Sequence, residues 1–133
     1  VRFDHCTFAQ NGGTGVALFG GGSFAACVIS QNRCGVHNGF KANSDASGCI
    51  ITGNKQWDVL GDNGRGSNDI LNYKGNFWGD KATRQLAQKN GKPLATVKDA
   101  TCGGHGIVDM TEFLTKEPKD CGARVFPSVK FSR

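Results

Sequence analysis

The strongest constraint on this chain is an internal repeat. Four segments align without gaps: Cys6-Thr7-Phe8-Ala9-Gln10-Asn11, Cys27-Val28-Ile29-Ser30-Gln31-Asn32, Cys49-Ile50-Ile51-Thr52-Gly53-Asn54 and Leu71-Asn72-Tyr73-Lys74-Gly75-Asn76. Their asparagines stand 21, 22 and 22 residues apart. Phe8, Ile29, Ile51 and Tyr73 keep one register, and Cys6, Cys27, Cys49 and Leu71 keep another. A second apolar point follows each of the first three asparagines, at Val16, Val36 and Val59. Before it stands Gly15, Gly35 or Asp58.

A repeat of this length has two main physical solutions. A leucine-rich repeat needs a dense leucine pattern, which is absent here. A right-handed parallel β-helix needs short strands with alternating side chains, separated by turns. Its coils stack about 4.8 Å apart, so equivalent residues form interior columns. The two apolar columns fit that interior. Thr7, Val28, Ile50 and Asn72 then point outward, with no carboxylate among them. The asparagine column reads as a structural ladder of Asn11, Asn32, Asn54 and Asn76. Each residue is expected at a bend that needs a left-handed backbone. Each amide would donate to one neighbouring rung and accept from the other, which satisfies groups a lone buried Asn would leave unpaired.

Composition narrows the class further. Twenty glycines lack an every-third-residue period, which excludes collagen. No apolar run approaches the roughly 18 residues of a membrane span. The net charge of +5 with no nucleic-acid motif gives no reason to expect a nucleic-acid partner. Six cysteines without a Cys-x-x-Cys pair argue against zinc-ribbon and thioredoxin readings. Their even number favours an oxidising, extracellular or cell-surface setting. The chain opens inside its apolar pattern, so either upstream coils or self-association is expected at that end.

These coils resemble secreted right-handed β-helix proteins of the pectin-lyase-like superfamily, where asparagine ladders recur. Gly75-Asn76-Phe77-Trp78-Gly79-Asp80 is similar to a signature that closes many β-helix repeat domains. Residues 106–118, from Gly106-Ile107-Val108-Asp109 to Pro118, resemble the segment that follows it. The resemblance implies an all-β fold: a right-handed parallel β-helix of about four coils over residues 1–78. A C-terminal cap with a short helix and a tail would occupy 79–133. Asp80 is expected to start that helix. Cys102 and Cys121 are the expected disulfide of the cap, and Trp78 is expected to plug the last coil or to stack on a sugar.

The superfamily contains enzymes as well as inert scaffolds. The resemblance makes Asp58, Asp62, Arg65 and Lys41 the candidates for polysaccharide lyase or hydrolase chemistry, with Ca²⁺ as cofactor in the lyase case. A polar turn is the simpler account of Asp62-Asn63-Gly64-Arg65-Gly66. Gly104-His105-Gly106 lacks the partner motifs of the β-helix hydrolases and reads as a glycine turn. No metal-ligand spacing is present, and no cofactor is expected otherwise. The expected function is therefore a secreted or surface-exposed structural and interaction module, part of a longer solenoid, that contacts a polysaccharide or another protein chain.

Overall fold

The computed structural model describes residues 1–39, 43–61, 70–89, 97–98 and 107–123. Its elements are twelve short strands and one helix. The first coil holds β1 (Arg2–Asp4), β2 (Thr7–Ala9) and β3 (Thr14–Leu18). The second holds β4 (Gly22–Ala25), β5 (Val28–Ser30) and β6 (Cys34–Asn38). The third holds β7 (Ser44–Ser47), β8 (Ile50–Thr52) and β9 (Trp57–Leu60). Then come β10 (Ile70–Asn72), α1 (Asp80–Lys89), β11 (Val97–Lys98) and β12 (Ile107–Asp109).

Pairing is parallel throughout and gives three sheets. Their orders are β1-β4-β7-β10-β12, β2-β5-β8 and β11-β9-β6-β3. The chain thus visits the three sheets in one cyclic order, coil after coil, an arrangement compatible with a parallel β-helix. The register holds the expected columns: Phe8 pairs with Ile29 and Ile29 with Ile51, while Val16 pairs with Val36 and Val36 with Val59. Ile29, Ile51, Val36 and Val59 have no exposed surface and form the centre of the core.

Left-handed residues mark two bends in each coil. His5, Ala26, Gly48 and Gly75 form one set of positive-φ positions, and Gln10, Gln31 and Gly53 form the other. The second set corrects one expectation. The residue before each asparagine makes the bend, and the asparagines of the ladder do not themselves take positive φ. Their contribution is the side-chain amide.

The fourth copy of the repeat sits in a different register from the expected one. Asn72 pairs with Asp45, and Phe77 bridges to Ile50, each 27 residues back. The third coil therefore returns by a connection about five residues longer than the second. The similarity of Leu71–Asn76 to the earlier segments is thus not one of position. Asn72 joins the sheet of β1, β4 and β7 instead of the outward row of Thr7, Val28 and Ile50. Phe77 stands level with Ile50, so Trp78 stands level with Ile51 and extends the Phe8, Ile29, Ile51 column. Tyr73 follows the Phe3, Phe24, Ala46 row, and its hydroxyl shares a 2.6 Å hydrogen bond with Ser44 Oγ.

Residues beyond 78 continue the sheets as well as covering them. β11 pairs with β9 and β12 with β10. α1 starts at Asp80, as expected, and buries Leu86 completely against the core. Ala82 is half-buried, and Ala87 is exposed. After β12 the chain turns back along the outer face of β2, β5 and β8. Leu114 N donates to Asn76 O, Gly122 N to Ala26 O at 2.8 Å, and Ala123 N to Thr7 Oγ1 at 2.8 Å. This strap runs from the level of Asn76 to that of Thr7. It covers the face whose outward residues the sequence offered as a free surface, and Ile50 is buried beneath it. Gly122 is needed there: it has positive φ, and a Cβ would lie 2.6 Å from Thr7 Oγ1.

Candidate interaction surface

The asparagine ladder runs through the bend between the second and third strands of each coil. Asn11 donates its backbone N–H (3.1 Å) and its Nδ2 (2.8 Å) to Asn32 Oδ1. Asn32 donates the same two groups to Asn54 Oδ1, at 3.0 and 3.2 Å. The second Nδ2 hydrogens go to the preceding coil, from Asn32 to Phe8 O and from Asn54 to Ile29 O. Asn54 ends the run on Asp58 Oδ1, at 2.8 Å from its Nδ2. Asn32 is wholly buried and Asn54 nearly so, whereas Asn11 is exposed.

The sequence candidates separate in this geometry. Asp58 is buried within the third coil and serves as the last acceptor of the ladder. Asn76 is buried but stands outside the ladder. Its Oδ1 accepts the Cys49 N–H at 3.0 Å, and its Nδ2 donates to Ala46 O and Tyr73 O. It takes the level that Cys6, Cys27 and Cys49 occupy in earlier coils. Trp78 is 2% exposed and packs its ring 6.2 Å from that of Tyr73, so neither ring face is open for a sugar to stack on. Asp58 and Trp78 do meet in the wall of one cleft of about 350 Å³, with Thr52, Asn54, Asp80 and Lys81. Lys41, Asp62, Arg65, Cys102 and His105 lie outside the described residues.

No disulfide joins the described cysteines, and Cys102, the expected partner of Cys121, lies outside the described residues. Cys6, Cys27, Cys49 and Cys121 are free thiols. Cys27 and Cys49 are wholly buried, where they act as small apolar residues. Desolvation by burial pushes the Cys49 thiol up to about 12, and it raises Cys27 and Cys121 as well. The even cysteine count therefore has no pairing behind it among the described residues. Nor do three His, Cys, Asp or Glu side chains among them converge as a metal site would. No helix among the described residues is long and apolar enough to cross a membrane.

The two ends of the stack are unlike. The far end carries Trp78, Leu86 and Met110, all buried. At the near end, β1, β2 and β3 are all edge strands of their sheets. Burial falls off in every column there. Phe24 is 1% exposed while Phe3 is half-buried, and Ile29 is wholly buried while Phe8 is half-buried. Cys6 is half-buried where Cys27 is closed. The Phe3 and Phe8 rings pack edge to face at 5.3 Å, and Phe3 stacks on Phe24 at 5.2 Å. Among the described residues, Phe3 and Phe8 thus form a half-buried apolar surface beside the edge strands. Periodicity gave the columns, but the closure of the far end is a tertiary feature that periodicity does not encode. Comparison of the chain with protein-family models, curated proteins and solved structures finds no match to any of them.

Proposed function

We propose that this chain is a secreted or surface-exposed structural and interaction module, part of a longer solenoid, that contacts a polysaccharide or another polypeptide chain, with the edge of β1, β2 and β3 taking a further layer of strands. Its architecture is read as a right-handed parallel β-helix of about four coils with a C-terminal cap. The parallel connections between its coils support that hand, because such crossovers are right-handed in about 98% of cases. One observation carries the functional reading. All three sheets stop together at β1, β2 and β3, above the half-buried Phe3 and Phe8. Sheet edges pair with other chains, and native folds that do not use them usually blunt them. The six positions of β1 and β2 hold one cation, Arg2, and no proline.

The polysaccharide lyase or hydrolase reading has less behind it. Asp58 is engaged by Asn54, and the ring of Trp78 is buried.

A fused extra coil tests the proposal. Phe3 aligns with Phe24 and Phe24 with Ala46, so a copy of residues 22–43 placed before Val1 continues the register. The reading expects a melting temperature several degrees above that of the parent chain, because the apolar surface of Phe3 and Phe8 becomes covered. An unchanged or lower melting temperature would contradict it.

A further inference from the structure

The start of α1 has no capping side chain. Gly79 O accepts the first helical bond from Thr83 N at 2.9 Å, and Thr83 Oγ1 joins it at 2.7 Å. Gly79 therefore stands where a Ser, Thr, Asp or Asn side chain usually accepts from the first turn. No side chain fits there, since Gly79 has positive φ and a Cβ would lie 2.5 Å from Thr52 Oγ1. Among the described residues, no acceptor reaches the backbone N–H groups of Asp80, Lys81 and Ala82. They are the donors that an uncapped helix leaves over.

A further donor belongs to the same place. Trp78 is 2% exposed, and its Nε1–H is buried with no hydrogen-bond partner. A buried donor without an acceptor carries its full desolvation cost, which an incoming oxygen atom removes. Trp78 and residues 79–82 line the cleft of about 350 Å³, together with Asp58 of the third coil. The unpaired donors and the cleft thus coincide, and none of these residues belongs to the first coil.

The charge of the cleft selects its ligand. Asp58 and Asp80 bring two carboxylates, against Lys81 and the roughly half positive charge of a helix start. A phosphate, a sulfate or a uronate meets a net negative wall. A cation makes no use of the N–H donors. A hydroxyl both donates and accepts, so a neutral ring with several hydroxyls satisfies the donors and the carboxylates together. The volume lies near the lower end for small-molecule sites, which suits a single ring. The faces of the Trp78 ring are closed, so the contact is made by its N–H and not by stacking.

We propose that the cleft between the third coil and α1 holds one neutral sugar ring of a polysaccharide. Hydroxyl oxygens of the ring accept from Trp78 Nε1–H and from the first-turn N–H groups, and one hydroxyl donates to the exposed Asp80 carboxylate. This rests on the polysaccharide branch of the reading above and gives that contact a place.

Trp57 and Trp78 are the two tryptophans of the chain, so nitrogen-15 labelling gives two indole N–H signals, which a Trp57→Phe variant assigns. The probes are the methyl glycosides of glucose, galactose and mannose, with sodium sulfate as the anionic comparison. The expected result is a saturable shift of the Trp78 signal with at least one glycoside below about 50 mM. Asp80→Ala, with unchanged circular dichroism, should weaken that binding about tenfold. Asp80→Asn, which keeps an acceptor oxygen, should lose less, and Arg84→Ala, on α1 but outside the cleft wall, should lose nothing. A Trp78 signal unmoved by all three glycosides overturns the proposal. So does an equal response to sulfate, or equal glycoside affinity in Asp80→Ala and the parent. Co-sedimentation with insoluble cellulose tests the polysaccharide reading separately. A chain retained on cellulose with its Trp78 signal unmoved keeps that reading and loses the cleft.

Discussion

Asn54 donates its side-chain amide to Asp58 Oδ1 at 2.8 Å, four residues further along its own coil. That bond ends the ladder inside the third coil. In the first two coils the position before the interior valine is glycine, at Gly15 and Gly35, and the next coil's asparagine lies against it. The third coil puts Asp58 there. The carboxylate serves as the acceptor that a fourth ladder rung would have supplied. A residue that looks catalytic by type therefore closes a hydrogen-bond run.

The ladder sets a graded response to mutation. Asn32→Ala and Asn54→Ala each leave buried partners unpaired and should destabilise the chain by roughly 1–3 kcal/mol. Asn11→Ala, at the exposed end, should cost less than either. Asp58→Asn retains an acceptor oxygen for Asn54 and should be milder than Asp58→Ala. Urea or thermal melts of the five variants check the order. Equal losses at Asn11 and Asn32 would contradict the ladder.

Gly35 is constrained by its neighbours. A Cβ there meets the Asp58 carbonyl oxygen and the Asn54 amide. Gly35→Ala should destabilise by about 1–3 kcal/mol, the usual range for overpacking. Gly12→Ala meets nothing within 4 Å and should be close to neutral. A melt of Gly35→Ala that matches the parent would contradict the placement of the amide.

The thiols should react in the order of their burial. Cys6 and Cys121 are partly exposed, whereas Cys27 and Cys49 are closed and Cys34 is buried. With its thiol held near 12, Cys49 carries almost no thiolate at pH 8. Maleimide under native conditions should label Cys6 and Cys121 well before Cys27, Cys34 and Cys49, with all five labelled in denaturant. Equal rates across the five sites in the folded chain would contradict the interior column.

Asp109 gives a pH dependence. Burial alone would raise its carboxyl, but hydrogen bonds from Thr111 Oγ1 (2.7 Å) and N–H (2.9 Å) outweigh that, with help from Lys74. Its pKa is held below the ordinary carboxylate range. A depressed carboxylate stabilises the fold above its unfolded pKa, and that contribution is lost as pH falls through the folded one. The melting-temperature gap between the parent and Asp109→Ala should therefore be widest near neutral pH and narrow below about pH 4. A gap independent of pH would mean that Asp109 contributes by packing alone.

The first three coils were legible because their lengths match. Offsets of 21 and 22 residues put Cys6 over Cys27 and Cys49, and Phe8 over Ile29 and Ile51, so the interior could be read as columns. The segment Leu71–Asn76 departs from that register because its offset is 27, although it imitates the earlier copies. That moved Asn76 out of the ladder and put Trp78 in the place expected for Tyr73. The strap could not be read at all. Its course depends on backbone bonds such as Gly122 N to Ala26 O and on a glycine small enough to cross Thr7, and neither produces a period. Asp58 lay in the aligned column as the odd member, a signal that was visible but pointed equally to a turn or an active site.

The most direct test of the open edge is hydrogen–deuterium exchange on the parent chain and on the chain carrying the extra N-terminal coil. The account predicts fast exchange for amides of β1, β2 and β3 in the parent, against slow exchange in β5 and β6. With the added coil, protection of β1, β2 and β3 should rise to the level of the second coil, while α1 and the strap stay as they were. Unchanged protection in the first coil would contradict the claim that this edge is built to take another layer of strands.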